Sequence, residues 1–266
     1  MFRILRDMRL TIDNTEIEDV MDLRTDNCQR APHTAHGTAQ GESMTRLPAH
    51  GRMECSACFN GQKVQFDTTR RTDGNWRITA NPLAWGNQEA EVVVLGFSKG
   101  PTQAGALASS NHDEIAYKGG RANVGKILNH IGLLPLPDGA ESKDISRCVD
   151  ALIASRTGRF HFGSLVKCTV EQFDPTERRW KGSGAGMLDK FVASELGRDV
   201  ASRCTRMYLA NLPAKTRLVV MFGMGTRQNY VEECFKLIQA ARPGRWTRFR
   251  DVAYTDGKVM FVHVEH

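Results

Sequence analysis

The stretch "EVVVLGFSKGP", residues 91–101, decides the fold. Its first half is a short apolar run, rich in β-branched residues, that closes on Gly96. Such a run lacks the polar alternation of a half-exposed strand, so it predicts a strand buried on both faces, as in a parallel sheet. Its second half is a turn punctuated by glycine, of the kind that leads from a strand into a helix.

Toward the C-terminus the alternation repeats. "GRANVGKILNHIGLL" (120–134) places Val124, Ile127, Leu128 and Ile131 on one helical face. "FHFGSLVKC" (160–168) reads as a second buried strand, ended by Cys168. Residues 187–212 form one long helical region or two shorter ones. "TRLVVMFG" (216–223) is a third strand, "RQNYVEECFKLIQAA" (227–241) a helix stopped by "RPG", and "GKVMFVHVEH" (257–266) a fourth strand. This pattern predicts an α/β fold: a three-layer α/β/α sandwich with a mostly parallel, four-stranded central sheet. Ligands on such sheets bind beyond the carboxyl ends of the strands. The loops of interest are therefore 96–103, 167–174 and 223–228.

Toward the N-terminus the composition changes. Residues 1–50 are polar, with no apolar period, and read as a flexible leader to a domain over 51–266. Lysine and arginine total 36 against 30 acids, a net charge of +6. That balance suits a polyanionic partner and a plain basic surface equally well. No run reaches the roughly 18 apolar residues of a spanning helix, so no membrane partner is expected. The first residues lack the apolar stretch and cleavage site of a secretory signal. A monomer in the reducing cytoplasm is the expectation. The 7 cysteines then read as metal ligands or buried thiols rather than disulfides.

Cys55 and Cys58 form a CxxC clamp, a spacing that lets two sulfurs face one metal. Cys168 and Cys204 can join them only through the fold. A redox pair, a zinc clamp and half of a cluster site all fit this spacing. Cys234, among apolar helical neighbours, reads as a buried thiol.

The ordered set "VVVLGFSKGP", "YKGGRANVGKILNHIGL", "GSLVKC", "SRCTRMYLANLPAKTRLVVMFG" and "VHVEH" resembles the uracil-DNA glycosylase superfamily, most of all its iron–sulfur branch, family 4. The resemblance implies a [4Fe–4S] cluster on Cys55, Cys58, Cys168 and Cys204, with zinc as the alternative metal. It implies a DNA partner and a hydrolase that swings a damaged base, uracil or a related deaminated base, out of the stack and cleaves its N-glycosidic bond. Gly96, Phe97, Ser98, Lys99, Gly100 and Pro101 would form the pocket floor and water loop. The superfamily carries Glu, Asp or Asn just after the first glycine; this chain has Phe97 and Ser98, of which only Ser98 can hold a water. Tyr117 would stack on the base. Ser164 would contact its edge where the family has asparagine. His266 would stabilise the leaving anion, with His263 as second candidate or else a satisfied core histidine. The family's Pro-Ser after that histidine is absent, so the sequence reads as truncated there.

Two further readings stand beside this one. The first is a non-catalytic nucleic-acid-binding protein on the same scaffold, motivated by Phe97, Ser164 and the missing Pro-Ser. The second is a zinc-stabilised α/β domain unrelated to DNA. The stretches "TERRWKG" (176–182) and "ARPGRWTRFR" (241–250) alternate cations with aromatics and suit either a nucleic-acid surface or a solvated basic face.

Overall fold

Four apolar runs of the sequence lie side by side as the strands β5 (Val92–Gly96), β6 (Phe160–Ser164), β9 (Leu218–Phe222) and β12 (Met260–Val264). They pair in parallel in the order β6-β5-β9-β12. The structure is a computed structural model, and it describes residues 46–182, 187–225, 227 and 229–265. The leader expected over residues 1–50 lies mostly outside this range, and His266 and Cys28 also lie outside the described residues.

The expected four-stranded sheet is the centre of a larger one. Antiparallel β4 (Leu83–Gly86) and β1 (Gly51–Arg52) extend it beyond β6, and β11 (Ala253–Thr255) and β10 (Thr247–Phe249) extend it beyond β12. The sheet is therefore mixed and 8-stranded. A second, 4-stranded antiparallel sheet has the order β2 (Arg70–Asp73), β3 (Trp76–Thr79), β7 (Thr169–Asp174), β8 (Arg179–Gly182). The added strands are short, and β1, β2, β8 and β10 are also partly or largely exposed, so they lack the continuous apolar runs that identify the central four; β4 is buried throughout but only four residues long. Their turns are legible all the same: Asp-Gly pairs at 73–74 and 256–257 are hairpin signals.

The chain divides into two compact units. In one, residues 119–152, the helices α3 (Arg121–His130) and α4 (Ser142–Ala154) approach closely at Gly125. A Cβ there would stand 2.3 Å from Ile145 Cγ2, so only glycine fits. The other unit, residues 46–118 and 153–265, holds both sheets and the remaining helices, including the short α1 (Pro101–Gly105) and α2 (His112–Ile115).

Within that second unit the strand register defines two faces. Val93, Leu95, Val219, Met221 and Phe261 share a buried core with α5 (Leu188–Ala193), α6 (Glu195–Leu209) and α7 (Asn229–Ala241). Each such apolar side chain contributes about 1.5–3 kcal/mol on burial. Residues 188–209 are two helices because Ser194 stops the first and caps the second: its hydroxyl accepts a hydrogen bond from the Gly197 N–H at 3.0 Å. Gly197 is obligatory, since a Cβ would lie 1.7 Å from the Phe191 carbonyl oxygen. The face opposite carries Val92, Val94, Phe162 and Phe222, with the Tyr117 ring edge-on to Phe162 and Phe222. Among the described residues, no helix is long and apolar enough to cross a membrane.

Candidate functional site

The CxxC lies in the loop between β1 and β2, and this loop is gripped from two sides. Arg71, on β2, donates to the Cys58 carbonyl at 2.9 Å and to Asp199 at 2.8 Å. Arg203, on α6, pairs with the same Asp199 and donates to the Ala57 carbonyl at 3.2 Å. Burial works to raise the Asp199 pKa, but the two guanidiniums outweigh it and hold the carboxyl below its ordinary value. Cys204 follows Arg203 on α6. Cys168 does not end β6, as the sequence suggested; the strand stops at Ser164 and Cys168 sits in the bend that crosses to β7.

The four sulfurs share one environment. The Cys58 thiol and the Cys204 sulfur are hydrogen-bonded, which raises the Cys58 pKa and lowers that of Cys204. Cys58 also feels Cys168 and Cys55. Burial pushes the Cys168 thiol up to about 12, with Cys204 and Cys55 adding to the rise. The Tyr208 hydroxyl is hydrogen-bonded to the Cys55 sulfur; burial first, then this thiol, raises the phenol above its usual range. Cys58, Cys168 and Cys204 are buried and Cys55 is half-buried. Among the described residues, no three of these sulfurs lie within 4.8 Å of one another. The sulfurs of a tetrahedral zinc site are about 3.8 Å apart, given Zn–S bonds of about 2.3 Å.

Two lysines complete this site, and neither role was read from the sequence. Lys99, expected in the pocket floor, turns inward; it is 1% exposed and donates to the Lys167 carbonyl. Lys167 is 3% exposed, and its ammonium lies 5.4 Å from the centre of the Tyr208 ring. Burial draws both ammoniums down to about 8, opposed by the Cys168 and Cys204 sulfurs at Lys99 and by Cys204 at Lys167. The signal for Lys167 was present: a lysine inside the otherwise apolar "GSLVKC".

The carboxyl edge of β5 and β9 is the point where the parallel strand order reverses. Gly96, Tyr117 and Ser164 gather there on one face of the sheet. Tyr117 donates to the Val94 and Gly163 carbonyls at 3.3 and 3.2 Å, and a Cβ on Gly96 would stand 4.0 Å from its ring. Its φ of 49° is a strained conformation for an aromatic residue, and such strain collects at functional sites. Ser164 pairs with Gly96 across the strands and is 7% exposed.

The other expected site residues are occupied elsewhere. Phe97 is 2% exposed and packs edge-on against Phe191 and Tyr230 in the core. The Ser98 hydroxyl donates to the Cys168 carbonyl at 3.3 Å and accepts from the Val170 N–H at 2.9 Å, clipping the turn to the cysteine bend. Gly100 and Pro101 begin α1, and Pro101 packs on Gly182 of β8. His263 is fully buried, with Nδ1 at 3.2 Å from the Gly223 carbonyl and Nε2 at 3.1 Å from the Tyr254 hydroxyl. Both ring nitrogens are taken, and burial lowers its pKa to about 4. Most cations of the two basic stretches are also partnered: Arg179 with Glu177, Lys181 with Asp174, Arg242 with Asp256, Arg248 with Glu232. Trp180 packs against Phe173 and Arg77, and Trp246 against Phe235, Tyr254 and Phe261.

A separate cluster joins His50, His112 and Asp113. His50 Nδ1 accepts from the Gly86 N–H at 3.2 Å, so its proton is on Nε2, facing Asp113 at 2.7 Å. That leaves His50 without a lone pair for a metal. His112 Nε2 meets the Ala84 carbonyl at 2.9 Å, and its ring stacks on Trp85. The cluster ties residues 46–52 to β4 and α2. No family model, no curated protein and no solved structure matches this chain.

Proposed function

We propose that this chain is an iron–sulfur, DNA-binding protein of the uracil-DNA glycosylase type, monomeric and cytoplasmic, with the three-layer arrangement that reading implies. Cys55, Cys58, Cys168 and Cys204 would hold a [4Fe–4S] cluster, whose contribution when bound is to tie three remote segments together. The single observation that carries this reading is the meeting of four sulfurs with two buried ammoniums. A burial of cations without carboxylate pairs calls for an anionic centre. The spread of the sulfurs supports a multi-metal centre over a single zinc ion.

The chain's own residues would then bind and orient the nucleotide. A base swung out at the carboxyl edge of β5 would meet the Gly96 backbone, the Tyr117 ring and the Ser164 hydroxyl. Ser164 can donate or accept one hydrogen bond at the base edge. Exposed Arg178 and Arg245 are left to meet phosphates.

Base hydrolysis asks more: a group to position water and a donor for the leaving anion. The use of both hydrogen-bonding sides of Ser98 within the fold favours the second reading, a non-catalytic nucleic-acid-binding protein on the same scaffold. One experiment separates the readings. Protein purified anaerobically is analysed for iron and zinc, then mixed with single- and double-stranded oligonucleotides bearing uracil, hypoxanthine or xanthine. About four irons per chain with salt-dependent binding and base release supports the glycosylase. Iron and binding without release support the second reading. A colourless, iron-free protein that ignores DNA overturns both.

A further inference from the structure

Lys99 and Lys167 are the only side chains of their type that the described core encloses, and neither forms an ion pair with a carboxylate among the described residues. Asp67 is a carboxyl group that also acts on Lys99, more weakly than the Cys168 and Cys204 sulfurs do. Space for the Lys167 ammonium exists because residue 163 is glycine: a Cβ there would lie 3.0 Å from Nζ. The Lys99 ammonium is fixed by the Lys167 carbonyl, one residue before Cys168. Desolvating two ammoniums costs several kcal/mol each unless a compensating anion stands close. Four thiolates around a divalent zinc ion or a divalent [4Fe–4S] core give a dianion, which matches two ammoniums in charge.

We propose that Lys99 and Lys167 are the built-in counter-ions of the four-cysteine centre and that they raise its reduction potential. This rests on the cluster reading above and deepens it. One electron from a one-electron reductant such as dithionite makes the centre more negative by one charge, with no bond made or broken in the protein. A fixed cation nearby stabilises the reduced form more than the oxidised form. Neither lysine is a ligand; both act through the centre they face.

The test is spectroelectrochemical titration of the anaerobically prepared protein and of Lys99→Met and Lys167→Met, which keep the length of the side chain and remove its charge. Each variant is expected to lower the reduction equilibrium at least tenfold, a midpoint about 59 mV more negative for one electron. Titration of the metal-free chain with Co2+, read by thiolate charge-transfer absorption, is a second measure that needs no cluster. There each variant is expected to bind at least tenfold more weakly, whereas Leu165→Met binds as the parent does. Parent-like midpoints and Co2+ affinities in both lysine variants would overturn the counter-ion role while leaving the cluster in place. A parent chain that takes up neither iron nor Co2+ overturns the cluster reading itself.

Discussion

The cysteine bend and the strand-edge turn are neighbours joined by Ser98, yet their chemistry differs. At the bend, four sulfurs influence one another beside two ammoniums, and among the described residues no carboxylate forms an ion pair with either cation. At the turn, Phe97 is packed in the core and both sides of the Ser98 hydroxyl are engaged. His263, on β12 two strands away, has both ring nitrogens engaged as well. Groups whose demands the fold meets are structural; groups whose demands it leaves open point to a ligand. By that criterion the bend is the better-founded site; at the turn Tyr117 already donates to the Val94 and Gly163 carbonyls, which leaves the Ser164 hydroxyl to a substrate.

The largest expected effect tests the bend. Cys204→Ala removes one of the four sulfurs, and anaerobically purified variant is expected to lose its iron altogether, with a lower melting temperature than the iron-loaded parent. Elemental analysis and calorimetry read both, and undiminished iron would erase the contrast between the two regions.

A smaller effect tests His263 as a core residue. Its folded pKa, about 4, lies below the ordinary 6.5, because burial disfavours the imidazolium. The unfolded chain therefore binds the extra proton first. Stability is complete above pH 6.5 and falls as the pH drops toward 4, by about 3 kcal/mol from this residue. His161, held at about 3 by burial, adds to the same slope. Urea titrations across this window are expected to show a shallower slope for His263→Gln. An unchanged slope would return His263 to the list of proton donors.

The smallest effect separates structure from catalysis at Ser98. Ser98→Ala removes the hydroxyl that accepts from the Val170 N–H, so stability should fall by about 0.5–1.5 kcal/mol. Any base release by the variant, corrected for the folded fraction, should match the parent. A large loss of activity at parent-like stability would make Ser98 part of the reaction instead.

The central strands were legible because burial on both faces writes a continuous apolar run, as in "VVVL" and "LVVMF". Edge strands such as β10 carry no such run, since two of its three residues face solvent. The CxxC spacing of Cys55 and Cys58 was legible as well, whereas the approach of Cys168 and Cys204 depends on the fold and leaves no local spacing in the sequence. The direction of Lys99 was not: a lysine beside a glycine turn looks like a surface cation, and only the bend at residues 165–168, whose Lys167 carbonyl accepts from its ammonium, shows otherwise. Phe97 misled too: the strand's alternation carries on past Gly96 and turns residue 97, like Leu95, into the core.

The Arg71–Asp199–Arg203 grip on the Ala57 and Cys58 carbonyls involves no sulfur. The CxxC loop therefore takes its pose from guanidinium–carbonyl contacts rather than from whatever the thiolates hold. A centre lost to oxidants could be rebuilt in place, with little ordering of the loop still to be done.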